Sequence, residues 1–314
     1  MRRMRYFEYG EPDVLTFEEV EIPEPGDGQV RIRTQAIGVN FVDTRFRRGP
    51  SSGAIFERPL PGKLTGDVVG IVDKGDEGLV GRRVVALSED AYADYVVVDA
   101  QWITQVPDDM DVAAASMLPT SAPVALRALR SGVVTAGETV LVHSAAGGIG
   151  QLAVQLARMA GAGLVIGTSS TPEKVDADVA IDYTAADWPD RVAEAAPGGV
   201  DVVLDAVGGD VLRRSFGVLR AYGRIVTYGA ASGDLIDVPM TDFFALRSLI
   251  GFSLLAWRAA RPEQARAEMT ELAGLFATGQ LRAGPAVTLP LSEAAEAHRL
   301  LESRAHPGRI VLIP

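Results

Sequence analysis

The chain has 314 residues, 47% hydrophobic and 23% charged, which excludes a disordered polymer and gives length enough for two cores. A formal charge of -11 works against a nucleic-acid backbone as the main partner, and zero cysteines exclude disulfides, a thiolate nucleophile and a cysteine-liganded zinc. Residues 1–14 carry charge without an apolar core of leader length, and no run approaches the roughly 20 apolar residues of a membrane helix, so a cytoplasmic protein is expected.

The first hundred residues hold short β-rich runs at 15–20, 29–37, 68–72, 83–87 and 92–98. Clusters such as Pro23-Glu24-Pro25-Gly26 punctuate them, as in an antiparallel, partly closed β domain. Residues 47–63 mix Pro and Gly without periodicity and read as a long surface loop. Near Pro119 the pattern changes. Helical stretches at 122–130, 149–159 and 211–219 alternate with strands at 139–143, 164–168, 179–181, 200–206 and 224–228, which implies parallel strands joined by crossover helices. After Gly251 come helices at 262–278 and 292–304, the latter with Ser292 as N-cap, a strand near Val287 and a closing strand at 309–313. The expected organisation is α/β: residues 1–118 as a β-rich domain, 119–251 as a doubly wound parallel-sheet insert, and 252–314 returning to the first domain.

The strand at 139–143 runs into Ser144-Ala145-Ala146-Gly147-Gly148-Ile149-Gly150 and then an apolar-periodic helix. This is a dinucleotide fingerprint, G-x-G-x-x-G, with Ala145 in the first glycine place, then Gly147 and Gly150. Missing side chains let the backbone approach a pyrophosphate at the positive end of the helix. The competing reading is a merely tight turn. At the end of the second strand an NAD-type site would place a carboxylate for the ribose hydroxyl. This chain has Gly167-Thr168-Ser169-Ser170-Thr171-Pro172-Glu173-Lys174 instead. Hydroxyls from Ser169 and Ser170 and the Lys174 ammonium suit a 2′-phosphate, with Glu173 assigned to the following turn. NADPH is therefore the expected cofactor, against the alternative of a solvated turn.

Motifs along nearly the whole chain point the same way. They are residues 36–44 (Ala-Ile-Gly-Val-Asn-Phe-Val-Asp-Thr), Gly66-Asp67-Val68-Val69-Gly70, Tyr92-Ala93-Asp94-Tyr95-Val96, the 145–150 loop, Val203-Leu204-Asp205-Ala206-Val207-Gly208-Gly209, Gly223-Arg224-Ile225-Val226 and Gly308-Arg309-Ile310-Val311-Leu312. In these the chain resembles the zinc-free medium-chain dehydrogenases/reductases, and among them the NADPH:quinone oxidoreductases of zeta-crystallin type. The resemblance implies a GroES-like catalytic domain, a Rossmann domain and a nicotinamide in the cleft between them. It implies Asn40 near nicotinamide and substrate, where the residue alone reads equally as an Asx-type turn. It implies Lys174 and Arg304 at the 2′-phosphate, Tyr183 near the adenosine half, and Gly229 and Ala230 in a loop passing the nicotinamide. Phe252, Ser253 and Leu254 would offer backbone bonds to the carboxamide, with core packing the alternative for Phe252.

Departures from the family pattern are informative. Arg45 stands where a tyrosine is usual, a cation that could face an anionic or carbonyl-bearing substrate. Zinc-dependent relatives carry a histidine ligand where this chain has Gly66, so no metal is expected. The connection from Lys174 to the strand at 179 is short, and the one between 72 and 83 is trimmed. His143 reads as structural, and His298 and His306 as surface residues. The leading expectation is hydride transfer from NADPH to a quinone or related activated carbonyl. An alkene (enone or enoyl) reductase and a non-catalytic NADPH-binding redox sensor are the alternatives. A small-molecule quinone or enone is the expected partner. The family resemblance adds a homodimer, for which the apolar run at 242–257 would serve as interface or as core.

Overall fold

The computed structural model describes residues 1–304 and 308–314, so His306 lies outside the described residues. By contact the chain forms two units, Met1–Thr120 with Glu263–Pro314, and Ser121–Pro262. The chain begins with strands β1 (Arg2–Tyr6), β2 (Leu15–Glu19), β3 (Gln29–Gly38), β4 (Gly66–Lys74), β5 (Arg83–Ser88), β6 (Tyr95–Asp99) and β7 (Thr104–Gln105), and helices α1 (Phe41–Arg48) and α2 (Val112–Met117). The second unit contains α3 (Ser121–Ser131), β8 (Thr139–Val142), α4 (Gly148–Met159), β9 (Leu164–Ser169), β10 (Val179–Asp182) and α5 (Trp188–Ala195). It continues through β11 (Val200–Asp205), α6 (Gly209–Val218), β12 (Leu219–Thr227), β13 (Ser248–Gly251) and α7 (Leu254–Ala260). The chain closes with α8 (Pro262–Ala277), β14 (Ala286–Pro290), α9 (Ala294–Ser303) and β15 (Arg309–Ile313).

In the first unit, β3 buries Val30, Ile32, Thr34 and Ala36, the period of two that a half-buried strand requires. It runs antiparallel to β4, β6 and β15, in a sheet ordered β14-β15-β3-β4-β5-β7 with β6 also on β3. The core beneath gathers Ile32, Ile37, Leu64, Tyr92 and Leu312. Helix α2 begins at Asp111, whose carboxylate accepts the N–H groups of Ala113 and Ala114, both at 3.0 Å. Asp111→Ala should cost about 1 kcal/mol, read as a lower urea midpoint at unchanged slope.

Three expectations for this unit need correction. Residues 47–63 are not a plain surface loop. Arg47, in the last turn of α1, is fully buried and donates to Gly10 O, Glu302 and His298 Nδ1, and two 3-10 turns, Gly49–Ser52 and Ala54–Phe56, tuck Phe56 inside. His298 is not on the surface either. It is fully buried on the Ala294, Ala297 face of α9, with Nε2 3.2 Å from Tyr92 Oη. The arginine can be interior because its polar atoms find partners from α9 and the N-terminal segment. Ser292 does not cap α9. Pro290 leads into a 3-10 turn, Leu291–Glu293, and Glu293 takes the cap position without a side-chain bond.

The second unit has the expected doubly wound sheet, ordered β10-β9-β8-β11-β12-β13 with every neighbouring pair parallel. The chain winds outward from β8 in one direction and from β11 in the other, which leaves a topological switch point between those strands. The short crossover from β9 to β10 contains no α-helix, only the 3-10 turn Pro172–Lys174. Asp178 ties it down by accepting Val165 N–H at 2.8 Å and pairing with Arg158 at 3.0 Å. The crossover lies against Gly167, where a Cβ would stand 2.5 Å from Val175 Cγ1.

His143 is structural. Its Nδ1 and Nε2 each lie 2.8 Å from a hydroxyl, of Thr168 and Ser215, and its ring meets Trp188 edge-on. Burial pushes the imidazole down to about 3, so it is neutral. Among the described residues no helix is long and apolar enough to cross a membrane.

Candidate active site

In an open parallel sheet, ligands bind beyond the carboxyl ends of the strands, at the switch point. There β8 ends and the chain turns through Ser144, held at φ 55°, into α4. The loop is drawn tight by Ala145 N–H donating to Thr168 O at 2.8 Å and Gly147 N–H to Ser144 O at 2.9 Å. Gly147 is the N-cap and has no side chain to satisfy the first N–H groups of the helix, those of Gly148, Ile149 and Gly150. Gly150 is required by packing: its Cβ would stand 2.2 Å from Ser144 O and 2.7 Å from Ala145 Cα. Ala146 completes this bare, positively polarised cradle, which fits a pyrophosphate. Across the switch point, at the start of α6, the N–H groups of Val207 and Gly208 are already bound to the Asp205 carboxylate at 3.1 and 3.2 Å. Of these two helix starts only that of α4 lacks a carboxylate.

At the end of β9, Ser169 is buried, and its hydroxyl accepts Thr171 N–H at 3.1 Å, so it shapes the turn that carries Ser170 and Lys174. Of the carboxylates that follow, Asp176 and Asp178 are engaged by Arg158 and Asp182 by Thr184, while Glu173 lies in the 3-10 turn beside Lys174. Tyr183 follows β10, half-buried against the apolar cluster of Ile181 and Trp188. After β12, the loop with Gly229 and Ala230 folds back on β11. A Cβ at Gly229 would lie 2.9 Å from Ala206 O, which also accepts Ala231 N–H at 3.0 Å. After β13, Phe252 N–H donates to Thr227 O at 2.9 Å, Ser253 caps α7 through Ala256 N–H, and Leu254 opens that helix. These sequence-predicted residues of the second unit therefore all follow the carboxyl ends of strands in one sheet.

Asn40, Arg45 and Arg304 belong to the first unit. Arg304 caps α9 in the left-handed conformation at φ 55° and is exposed. Arg45 is half-buried, its guanidinium 5.2 Å from the ring centre of Phe41, one turn earlier on α1. Asn40 precedes α1 but makes no capping bond, so the Asx-turn alternative does not hold; its Oδ1 accepts Arg309 Nη1–H at 3.0 Å.

That contact opens a polar node that sequence reasoning missed. Arg309 on β15 and Asp67 on β4 form a buried ion pair at 2.5 Å, and Thr120 Oγ1 donates to the same carboxylate at 2.6 Å. Gly38 makes room, since a Cβ there would collide with the guanidinium. Burial pushes the Asp67 carboxyl up while Arg309 and Thr120 pull against it. The available signal was a charge of each sign directly before an apolar run, Asp67 before Val68-Val69 and Arg309 before Ile310-Val311-Leu312.

The donor set does not suit zinc. Gly66 cannot be replaced by a larger ligand without collision, its Cβ falling 2.8 Å from both Ala91 and Ile37. His143 and His298 are held in hydrogen bonds in different units, and among the described residues no three His, Cys, Asp or Glu side chains gather as a ligand set.

With this geometry in place, comparison with known proteins is direct. Residues 26–108 match a family described as alcohol dehydrogenase GroES-like domain, and residues 175–312 one described as zinc-binding dehydrogenase. A 2-haloacrylate reductase from a Burkholderia species is 35% identical, covering 97% of this chain and 96% of its own. A quinone oxidoreductase of Pseudomonas aeruginosa is 33% identical over 100% and 99% of the two chains. Among solved structures, a mycobacterial protein complexed with NADPH superposes with a TM-score of 0.90 at 33% identity, covering 100% of both chains. The Escherichia coli quinone oxidoreductase complexed with NADPH gives 0.88 at 29%, again over 100% of both.

Proposed function

The chain belongs to the medium-chain dehydrogenase/reductase family, with quinone oxidoreductases among its full-length relatives, and on that premise we propose that it is an NADPH-dependent reductase acting on a quinone or related activated carbonyl. The observation that carries this reading is the uncapped, glycine-rich start of α4 at the switch point, a fit for a pyrophosphate. Residues 145–150 would hold that group, Ser170 and Lys174 the 2′-phosphate, and Gly229, Ala230 and 252–254 the nicotinamide half. When bound, NADPH supplies the hydride. The protein's own part is to hold and orient both molecules, and to steady negative charge on the acceptor oxygen. No metal is assigned a step.

The test follows the absorbance of NADPH, and separately NADH, against a panel of ortho- and para-quinones and α,β-unsaturated ketones. Fast NADPH loss with quinones and little with NADH supports the reading; cofactor binding without turnover on any acceptor would replace it with a sensor. Lys174→Ala should weaken NADPH about tenfold and leave NADH unchanged, the loss expected for one charge-assisted contact. An alkene reductase is the second reading, favoured by the similarity to a 2-haloacrylate reductase, and turnover confined to enones would establish it.

A homodimer belongs to the same proposal. Among the described residues no strand pairs with the outer edge of β13, which ends the sheet order, and Tyr222, Phe244 and Leu246 nearby are 75%, 74% and 54% exposed. Sedimentation would show a single species of twice the chain mass. A cytoplasmic location is part of this reading, in keeping with a cysteine-free chain that uses a reduced cofactor.

A further inference from the structure

We propose that the first unit carries a small-molecule site of its own, between α8 and the chain around β7, for a monocarboxylate with an apolar body. The proposal stands independently of the reductase reading.

The site is a cavity of about 490 Å³ whose lining residues all belong to the first unit. That volume falls within the roughly 300–1,000 Å³ usual for ligand pockets. β7 ends the sheet order, and the 3-10 turn Ala100–Trp102 leads into it. Facing them, α8 buries Ala265, Met269, Leu272 and Phe276, a stripe at helical spacing. Arg266, Thr270 and Ala273 each follow a member of that stripe by one position, so they line the cavity from its shoulder. Leu79, Ile103, Met269 and Ala273 make the wall apolar. An apolar body gains there by leaving water and needs no directional partner.

The lining holds one formal charge, that of Arg266, and the α8 carboxylates Glu263, Glu268 and Glu271 lie outside it. An unpaired surface arginine alone means little, since exposed ion pairs are worth little. This one is half-buried among neutral groups. Its Nη1 donates to Gln101 Oε1 at 3.5 Å, the far limit of a hydrogen bond, and its guanidinium carbon lies 5.9 Å from the centre of the Trp102 ring. Asp99 accepts both the backbone N–H of Gln101 at 3.0 Å and its Nε2–H at 2.7 Å, a clamp that keeps Oε1 turned toward Arg266. Glu263 stands one turn earlier on α8, yet among the described residues Arg266 forms no ion pair. Held between an amide and an indole at an apolar cavity, the guanidinium keeps its charge for a ligand.

The donor set selects that ligand. A guanidinium presents two parallel N–H groups, which a carboxylate accepts together. One cation balances one negative charge, so the second charge of a phosphate monoester would meet no further cation in this lining. Thr270 has no proton to spare, because its hydroxyl donates to Arg266 O at 3.1 Å. The carboxylate therefore sits at Arg266 and the apolar body against Ile103 and Met269.

Isothermal titration of the full chain with naphthoate tests the site, with naphthylmethanol as the neutral counterpart and naphthyl phosphate as the dianion. The wild type should bind the carboxylate about tenfold more tightly than either. Arg266→Gln keeps a polar side chain and removes the charge, and it should weaken naphthoate about tenfold or more. Ala273→Phe fills the cavity from its wall and should abolish this binding. A urea midpoint near the wild-type value shows that each variant is folded, and if Ala273→Phe melts early, Arg266→Gln alone decides. Naphthoate affinity unchanged in Arg266→Gln overturns the proposal, as does equal affinity of the wild type for naphthylmethanol. A wild type that gives no saturable heat with naphthoate overturns it too.

Discussion

Gly150→Val should abolish measurable NADPH binding, a loss of about a thousandfold or more. The new Cβ would meet Ser144 O at 2.2 Å and Ala145 Cα at 2.7 Å, both backbone atoms, so no side chain can rotate aside. The start of α4 must move off the loop, and the N–H groups of Gly148, Ile149 and Gly150 lose their common aim. Losing two charge-assisted bonds of about 2 kcal/mol each gives roughly 4 kcal/mol, or about three powers of ten in affinity. Overpacking costs a further 1–3 kcal/mol of stability, roughly, because the site lies inside the sheet-helix contact. Fluorescence titration with NADPH, beside a urea melt, separates the two effects. Gly198→Ala is the control, since no atom lies within 4 Å of the added Cβ. Ordinary NADPH affinity in Gly150→Val would mean that the cofactor does not sit on α4, and the proposed function would fall with it.

The strand, glycine loop and helix at the switch point were legible because their physics is local. An apolar strand, Thr139–Val142, a run of small residues and a helix with period 3.6 lie within about one supersecondary unit, and each supports the others. The position of Ser169 at the end of β9 and of Lys174 in the turn after it was readable from the same locality. The first unit was harder to read, and the reason is sequence separation. Asp67 meets Arg309 across 242 positions and Arg47 meets Glu302 across 255, so nothing near either charge announces its partner. A lone arginine reads as solvated, and a histidine in a polar stretch as exposed, until the fold brings their acceptors to them. This is why Arg47 and His298 were misplaced on the surface. The same distance hid the tie between Asn40 and β15, which the Asx-turn alternative left out. Helix α5 had a subtler cause. Trp188 and Pro189 open it, and an eight-residue helix gives too few apolar repeats to stand out.

The node in the first unit also carries an electrostatic consequence at Asp43, on α1 three residues beyond Asn40. Its carboxyl is fully buried and accepts Thr65 N–H at 2.7 Å and Thr65 Oγ1–H at 2.8 Å. Burial pushes it up to about 7, with Asp67 adding to the rise, while Thr65 and Arg309 oppose it. In the unfolded chain the same group titrates near 3.9, roughly the value of an isolated aspartate. Between these values the folded state holds the proton more tightly than the unfolded state, so stability falls as pH rises through that window and levels off above 7. A difference of about 3 units corresponds to roughly 4 kcal/mol across the window. Asp43→Asn removes the titration and keeps the bonding pattern, with Oδ1 accepting Thr65 N–H and the amide donating to Thr65 Oγ1. The variant should therefore match the wild type near pH 4 and exceed it by up to about 4 kcal/mol at pH 8, measured by urea unfolding at a series of pH values. Parallel curves at every pH would show that Asp43 binds its proton equally tightly in the folded and unfolded states, with Thr65 and Arg309 offsetting burial. A variant less stable at pH 8 would show that the ionised carboxylate is held by its donors and by Arg309 more strongly than burial opposes it.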